Sequence, residues 1–379
     1  KATVNMKNTF AIISFLILSI AVYGQTSEEG EINGAPFQII IPEDWNGGLV
    51  MYAHGYEETD EYLGRYGEDE LKGAENEEEE EEESGYEEPF YEIFTQRGYA
   101  VAFSEFRKKG VVVKEGIEDT EALRGYFEMK YGKPELTIMT GHSMGGIISI
   151  ATIEKYPNEY NGAMPMCSWL APTSMLSKRF LDMLVTFDYF FADNSGELVE
   201  GKELVSYEEI KALITAGNED FINIFCENFK LKAQDLGDVI YFGQIILKET
   251  AKNRGGLAIG NLQTIYDGFG FQDNEINRKI RRYAAEPFTA EHFINYYTTT
   301  GKIADPVLAL HTTYDELIPA SNYDLYEQLI NYQNSSELYQ QRYVVRDGHC
   351  NFTNEEVGDA FDQLIKWIST GQKPELKYE

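Results

Sequence analysis

Cysteine, histidine and positive charge are all scarce in this chain of 379 residues, and each shortage removes a class of function. Three cysteines, Cys167, Cys226 and Cys350, allow at most one internal disulfide, so the fold cannot rest on a disulfide framework and must bury a core. With neither a zinc-ligand spacing nor an H-E-x-x-H pattern, the chemistry is expected to need no metal and no cofactor. Only 32 Lys and Arg stand against 64 Asp and Glu, a net charge of −32. That balance argues against nucleic acid and anionic membranes as partners, since their phosphates would be repelled, and neutral substrates are the simplest match.

Long apolar runs are scarce as well. Phe10–Val22 falls short of the roughly 20 residues that a membrane span needs, so no stable membrane anchor is expected. With Lys7-Asn8-Thr9 before it and Tyr23-Gly24-Gln25 after it, the run reads as a secretory signal that starts at Met6 and is cleaved after Gly24. Residues 1–24 are therefore set apart from the fold, and the protein is expected to be secreted, periplasmic or extracellular. Much of the acid lies in 57–88, including the unbroken run Glu77–Glu83. Like charges repel and bury no apolar area, so this segment reads as a disordered surface insertion.

The positive features begin with a serine. Gly141-His142-Ser143-Met144-Gly145-Gly146 follows the strand-like run Leu136–Thr140 and precedes the helix-like run Ile147–Tyr156. A strand that turns sharply into a helix strains its turn residue and lifts that side chain clear of the sheet, which is the setting of a nucleophile elbow. A serine hydroxyl needs a base to take its proton and an acid to orient that base. Of five histidines, His349 is the best base: Gly348-His349-Cys350 lies between the strand-like Tyr339–Val345 and the last helix, Asn354–Ser369. The acid belongs on a loop between nucleophile and base, after the buried strand Val307–His311. Asp315 is the first choice there, Glu316 the near alternative and Asp347 the weaker one.

A tetrahedral intermediate also needs N–H donors aimed at its oxyanion. Met144, in the first helical turn, offers one. Tyr56, in the turn after the strand Leu49–Ala53, offers the second. His54 and Gly55 shape that turn, with His54 either a hydrogen-bonded support or a group at the substrate. Trp169, just beyond Cys167 at a strand end, is assigned to the substrate pocket wall. Cys167 and Cys350 both fall near this face, and they read as small buried residues ahead of a disulfide pair.

Through His54-Gly55-Tyr56, the Ser143 elbow, the Asp315 loop and the Gly348-His349 loop, the chain resembles the α/β-hydrolase superfamily from Phe37 to the final helix. A looser resemblance, to secreted bacterial proteins of the tannase and feruloyl-esterase type, runs through Gly260-Asn261, Tyr266–Phe269, His311-Thr312-Thr313 and Gly348–Thr353. That pattern carries a cysteine directly before the serine, disulfide-bonded to one directly after the histidine. Here Cys350 matches the second and His142 occupies the first.

The resemblance implies an α/β-hydrolase fold: a mostly parallel central sheet, helices on both faces and an inserted helical cap. The expected divisions are a first core part at 25–170, a helical, aromatic cap at 171–302 and a second core part at 303–379. It implies a secreted serine hydrolase that cleaves carboxylic esters, small or polymeric, through an acyl-enzyme. A serine peptidase of the prolyl-peptidase type and a non-catalytic binding protein that retains the fold are the alternatives.

Overall fold

The structure, a computed structural model, describes residues 25–59 and 91–375. The expected signal segment 1–24 and most of the acidic insertion, from residue 60 on, lie outside the described residues. Among the described residues, eight strands form one sheet in the order β1-β2-β4-β3-β5-β6-β7-β8. They are β1 (Thr26–Ile32), β2 (Ala35–Ile41), β3 (Gly48–Ala53), β4 (Ala100–Ser104), β5 (Leu136–His142), β6 (Gly162–Met166), β7 (Val307–Tyr314) and β8 (Tyr339–Asp347). From β4 through β8 neighbouring strands run parallel, while β1 and β2 pair antiparallel with each other, as does β2 with β4.

The central strands are buried along their length because helices cover both faces. In β3, Leu49, Met51 and Ala53 face one core layer while Val50 and Tyr52 face the other, the two-residue alternation of a strand. On the Val50 side lie α1 (Tyr91–Thr95) and, closing the chain, α12 (Asn354–Thr370), with Phe94 packed edge-on against Phe361. The opposite layer takes α2 (Val113–Tyr131) and α3 (Met144–Lys155). The helical segment between β6 and β7 comprises α4 (Thr173–Phe191), α5 (Glu197–Glu200), α6 (Tyr207–Ala216), α7 (Glu219–Phe229), α8 (Leu236–Arg254), α9 (Asp273–Lys279) and α10 (Pro287–Tyr296). After β7 comes α11 (Ser321–Tyr332).

β1 is absent from the strands expected above, because its residues are mostly exposed and polar and carry no hydrophobic alternation. The overlooked signal is Asn33-Gly34, both at positive φ (54° and 85°), which makes the two-residue hairpin between Ile32 and Ala35. β7 runs three residues past the expected end at His311, because Thr312 continues the ladder to Val344 and Tyr314 reaches Asp347 after a bulge.

α8 is fastened to the core by a buried ion pair. Glu115 on α2 accepts from Arg254 Nη2 (3.0 Å), which also donates to the Tyr297 hydroxyl (2.9 Å). Burial alone would raise the Glu115 pKa, but Arg254 and then Lys108 outweigh it and hold the carboxyl down at about 2. Because the folded pKa is depressed, the stabilisation is complete above the ordinary value of 4.5 and is lost as pH falls toward 2. Glu115→Gln should therefore cost about 3 kcal/mol in denaturant unfolding at pH 7. The gap to the wild type should close as the pH is lowered below about 4; a gap that stays constant with pH would refute the assignment.

Candidate active site

Ser143 stands between β5 and α3 at φ 51° and ψ −121°, a strained conformation for a residue with a side chain. Crowding holds it there. A Cβ on Gly145 would come within 1.9 Å of the Ala53 carbonyl oxygen, so the end of β3 presses directly on the elbow. The requirement for glycine thus comes from the neighbouring strand more than from the turn itself. The Ser143 N–H donates to the Met166 carbonyl (3.0 Å), which ties the elbow to β6 on its other side.

The structure brings Ser143, His349 and Asp315 together in one hydrogen-bonded line. His349 Nε2 lies 2.9 Å from Ser143 Oγ, and Nδ1 lies 2.7 Å from Asp315 Oδ2. The other Asp315 oxygen accepts from the N–H groups of Leu317 (2.9 Å) and Ile318 (2.7 Å), which fixes the carboxylate in place. Of the alternatives for the acid, Asp347 pairs with Lys232, and Glu316 acts on His349 through its charge alone, with the Nδ1 position taken by Asp315. For His349, burial alone would lower the pKa, yet the charge and hydrogen bond of Asp315 outweigh it and the net shift is upward. For Asp315 burial acts to raise the pKa, and the coupling to His349 leaves it lowered.

Two further histidines lie close by in neutral form. Burial pushes His142 down to about 3, and its Nδ1 takes the Tyr52 hydroxyl at 2.6 Å. Burial likewise pushes His311 down to about 4, where it packs edge-on against Tyr323 behind Asp315.

Across from the elbow runs the turn after β3. Gly55 lies so near it that a Cβ there would sit 2.8 Å from His142 Nε2 and 3.4 Å from Ser143 Cβ. Glycine is needed at that position for space, since no positive φ occurs there. Tyr56 lines the chamber over Ser143, and its hydroxyl donates to Glu249 Oε2 on α8 (2.6 Å). Glu249 also accepts the Thr59 N–H (3.1 Å), so a cap helix grips this turn at two points. The role of Glu249 was invisible in the sequence, because nothing near position 249 marks it as a partner of residue 56. Met144 begins α3, where N–H groups have no intrahelical acceptor, and lines the same chamber.

The chamber holds about 490 Å³ of empty space, its open mouth included. Thr173, Leu176 and Phe180 of α4, Phe242 and Ile246 of α8, and Trp169 line it, as do Leu317 and Ile318. The Trp169 indole N–H is donated to Thr173 Oγ1 (2.8 Å). His54 is not among the lining residues, and its ring stacks on Phe106 with centroids 4.1 Å apart.

Cys167 and Cys350 correct the expectation of two separate buried cysteines, because they form a disulfide across 183 residues of sequence, while Cys226 is the free, buried cysteine. Strand register explains the pairing. His142, the residue before the serine, lies opposite Met166, so Cys167 is one step along the adjoining strand end. Both bridged residues hold positive φ, 43° for Cys167 and 53° for Cys350, and the bond anchors the residue next to His349 to the edge of the elbow. Exchanging both for serine should lower kcat about 10- to 100-fold through a looser His349, with a smaller change in KM. Unchanged kcat in the folded double variant would show that the bond does not position the histidine.

The strand order, the strained serine between a parallel strand and a helix, and the order Ser143, Asp315, His349 along the chain define the α/β-hydrolase fold. No protein-family model matches the chain. The o-phthalyl amidase of Xanthobacter agilis is 21% identical over 92% of this chain and 88% of that protein. Among solved structures, an esterase of Pyrococcus furiosus is similar at 12% identity, covering 91% of this chain and 90% of that one, with a TM-score of 0.46. A thermostable carboxyl esterase of Bacillus coagulans is similar at 14% identity, covering 91% and 99%, also with a TM-score of 0.46.

Proposed function

We propose that this chain is a serine hydrolase that cleaves carboxylic ester bonds through an acyl-enzyme. The observation that carries the reading is His349 held between Ser143 and Asp315 at the floor of a largely apolar chamber. In this reading Ser143 Oγ attacks the ester carbonyl as its proton passes to His349 Nε2, and the oxyanion is received by the N–H groups of Met144 and Tyr56. His349 then gives that proton to the departing alkoxide, leaving the acyl group on Ser143. Water attacks the acyl-enzyme with His349 as base, which frees the carboxylic acid and restores the serine. Secretion is part of the proposal: the Cys167–Cys350 disulfide supports an oxidising compartment.

The likeness to an amidase favours a second reading, in which the same groups cleave an amide and His349 protonates the leaving amine. A peptidase has less support, since no Asp or Glu to hold a peptide's amine occurs among the residues that line the chamber. A matched panel separates the readings: short and long p-nitrophenyl esters, methyl ferulate, and acyl and aminoacyl p-nitroanilides, each with the wild type and Ser143→Ala. Serine-dependent ester cleavage that outruns anilide cleavage is expected. Preferential anilide cleavage would put the amide reading first, and turnover that survives Ser143→Ala would defeat both.

A further inference from the structure

Glu249 is a carboxylate on the cap helix α8 that keeps only 1% of its surface exposed. Phe242, Ile246 and Glu249 succeed one another about one turn apart, so they share a face of that helix. Phe242 and Ile246 line the chamber. Glu249, at the end of the row, reaches the turn after β3: Oε2 accepts from the Tyr56 hydroxyl (2.6 Å) and Oε1 from the Thr59 N–H (3.1 Å). The loop after β4 closes the other side. Gly110, at φ 92°, lies so near that a Cβ there would meet the Glu249 carboxyl carbon at 3.1 Å, and its N–H donates to the Glu57 carbonyl of the same turn (2.9 Å). One carboxylate therefore joins α8, residues 56–59 and the Gly110 loop.

A buried carboxylate is costly unless donors satisfy it. Here both oxygens take a donor from a segment that lies outside helix and strand. The dependence runs both ways: α8 needs the turn to satisfy Glu249, and the turn takes its geometry from α8. Tyr56 is thereby held at two ends. Its main chain follows Gly55, which packs against the elbow, and its hydroxyl is fixed on Glu249, with the ring edge-on against Phe242 of the same helix (centroids 5.8 Å apart).

We propose that Glu249 is a positioning residue for the reaction at Ser143: by holding the Tyr56 hydroxyl and the Thr59 N–H, it fixes the backbone of the turn so that the Tyr56 N–H is aimed at the oxyanion. This rests on the serine hydrolase reading, and it makes the helical insertion a support of the oxyanion site as well as a wall of the chamber. An oxyanion donor works because it is aimed before the charge appears. A turn released from Glu249 thus loses transition-state stabilisation and little binding of the uncharged substrate.

Kinetics on a p-nitrophenyl ester test it, with active sites counted by fluorophosphonate titration so that unfolded protein does not enter the rate. Glu249→Leu should lower kcat per site by about 30- to 100-fold, with KM within about 3-fold of the wild type. Glu249→Gln should restore kcat to within about 5-fold, since the amide oxygen accepts from Thr59 and the N–H₂ donates to the Tyr56 hydroxyl. Tyr56→Phe keeps the backbone N–H and removes only the hydroxyl. It should lower kcat by about 10-fold and add little in the Glu249→Leu background, because the two changes break one bond. A trifluoromethyl ketone, which adds to Ser143 as a hemiketal oxyanion, should bind Glu249→Leu more weakly by the factor that kcat/KM falls. Unchanged kcat per site in Glu249→Leu, a loss confined to KM, a Gln variant as impaired as the Leu variant, or undiminished ketone affinity would each overturn the proposal. Should Glu249→Leu not fold, Tyr56→Phe decides alone, and unchanged kcat per site overturns it. Failure of the parent reading is seen separately, as turnover that survives Ser143→Ala.

Discussion

Ser143→Ala is expected to lower kcat by about four to six orders of magnitude on any ester that the wild type cleaves, with the fold unchanged. The substitution removes one oxygen, the one 2.9 Å from His349 Nε2. The strain at this position is in the backbone, at φ 51°, and alanine and serine bear it alike. The contacts that force the elbow, from the Ala53 carbonyl to Gly145 and from the Met166 carbonyl to the Ser143 N–H, do not involve the hydroxyl. Steady-state kinetics with thermal unfolding of both proteins checks the claim. A folded Ser143→Ala protein within 10-fold of the wild type, as an order-of-magnitude threshold, would remove Ser143 from the nucleophile's role.

Asp315→Asn has the second largest expected effect, a loss of about 10⁴-fold in kcat. An asparagine oxygen can still accept from Leu317 and Ile318, which leaves an amide N–H₂ facing His349 Nδ1. The imidazole must then accept at Nδ1 and carry its proton on Nε2, pointed at Ser143, where it cannot take the serine's proton. A pH signature accompanies the loss. In the wild type kcat/KM falls as His349 gains a proton, at a pKa above the ordinary 6.5 because Asp315 outweighs burial. Without that negative charge burial prevails, so the acid limb of the residual activity should move to lower pH. A limb that stays in place would mean that another group sets it.

Ser143, His349 and Asp315, which the structure brings together, were legible as candidates in the sequence because each is written locally: glycines around a serine between strand and helix, a loop histidine before the last helix, an acid after a buried strand. The parallel sheet was legible for the same reason, since its strands are short apolar runs punctuated by turns. What stayed hidden depends on neighbours far away in the chain. The Cys167–Cys350 bond follows from β5 and β6 lying side by side, a fact of register that no spacing reveals. His54 follows β3 directly in sequence, and its ring stacks on Phe106, a partner 52 positions away that no local pattern marks. Glu249 belongs to the helical insertion, whose aromatic residues gave no hint of which charged side chains would be buried against the core. The polar β1 was hidden by its exposure, with only Asn33-Gly34 to mark it.

The measurement that tests the central claim most directly is intact-protein and peptide mass spectrometry after treatment with a fluorophosphonate, which phosphonylates an activated serine with loss of fluoride. The account predicts one adduct per chain, on the peptide containing Ser143, with none in Ser143→Ala and a much slower reaction in His349→Ala. An unmodified wild-type protein, or label on another residue that persists in Ser143→Ala, would contradict it.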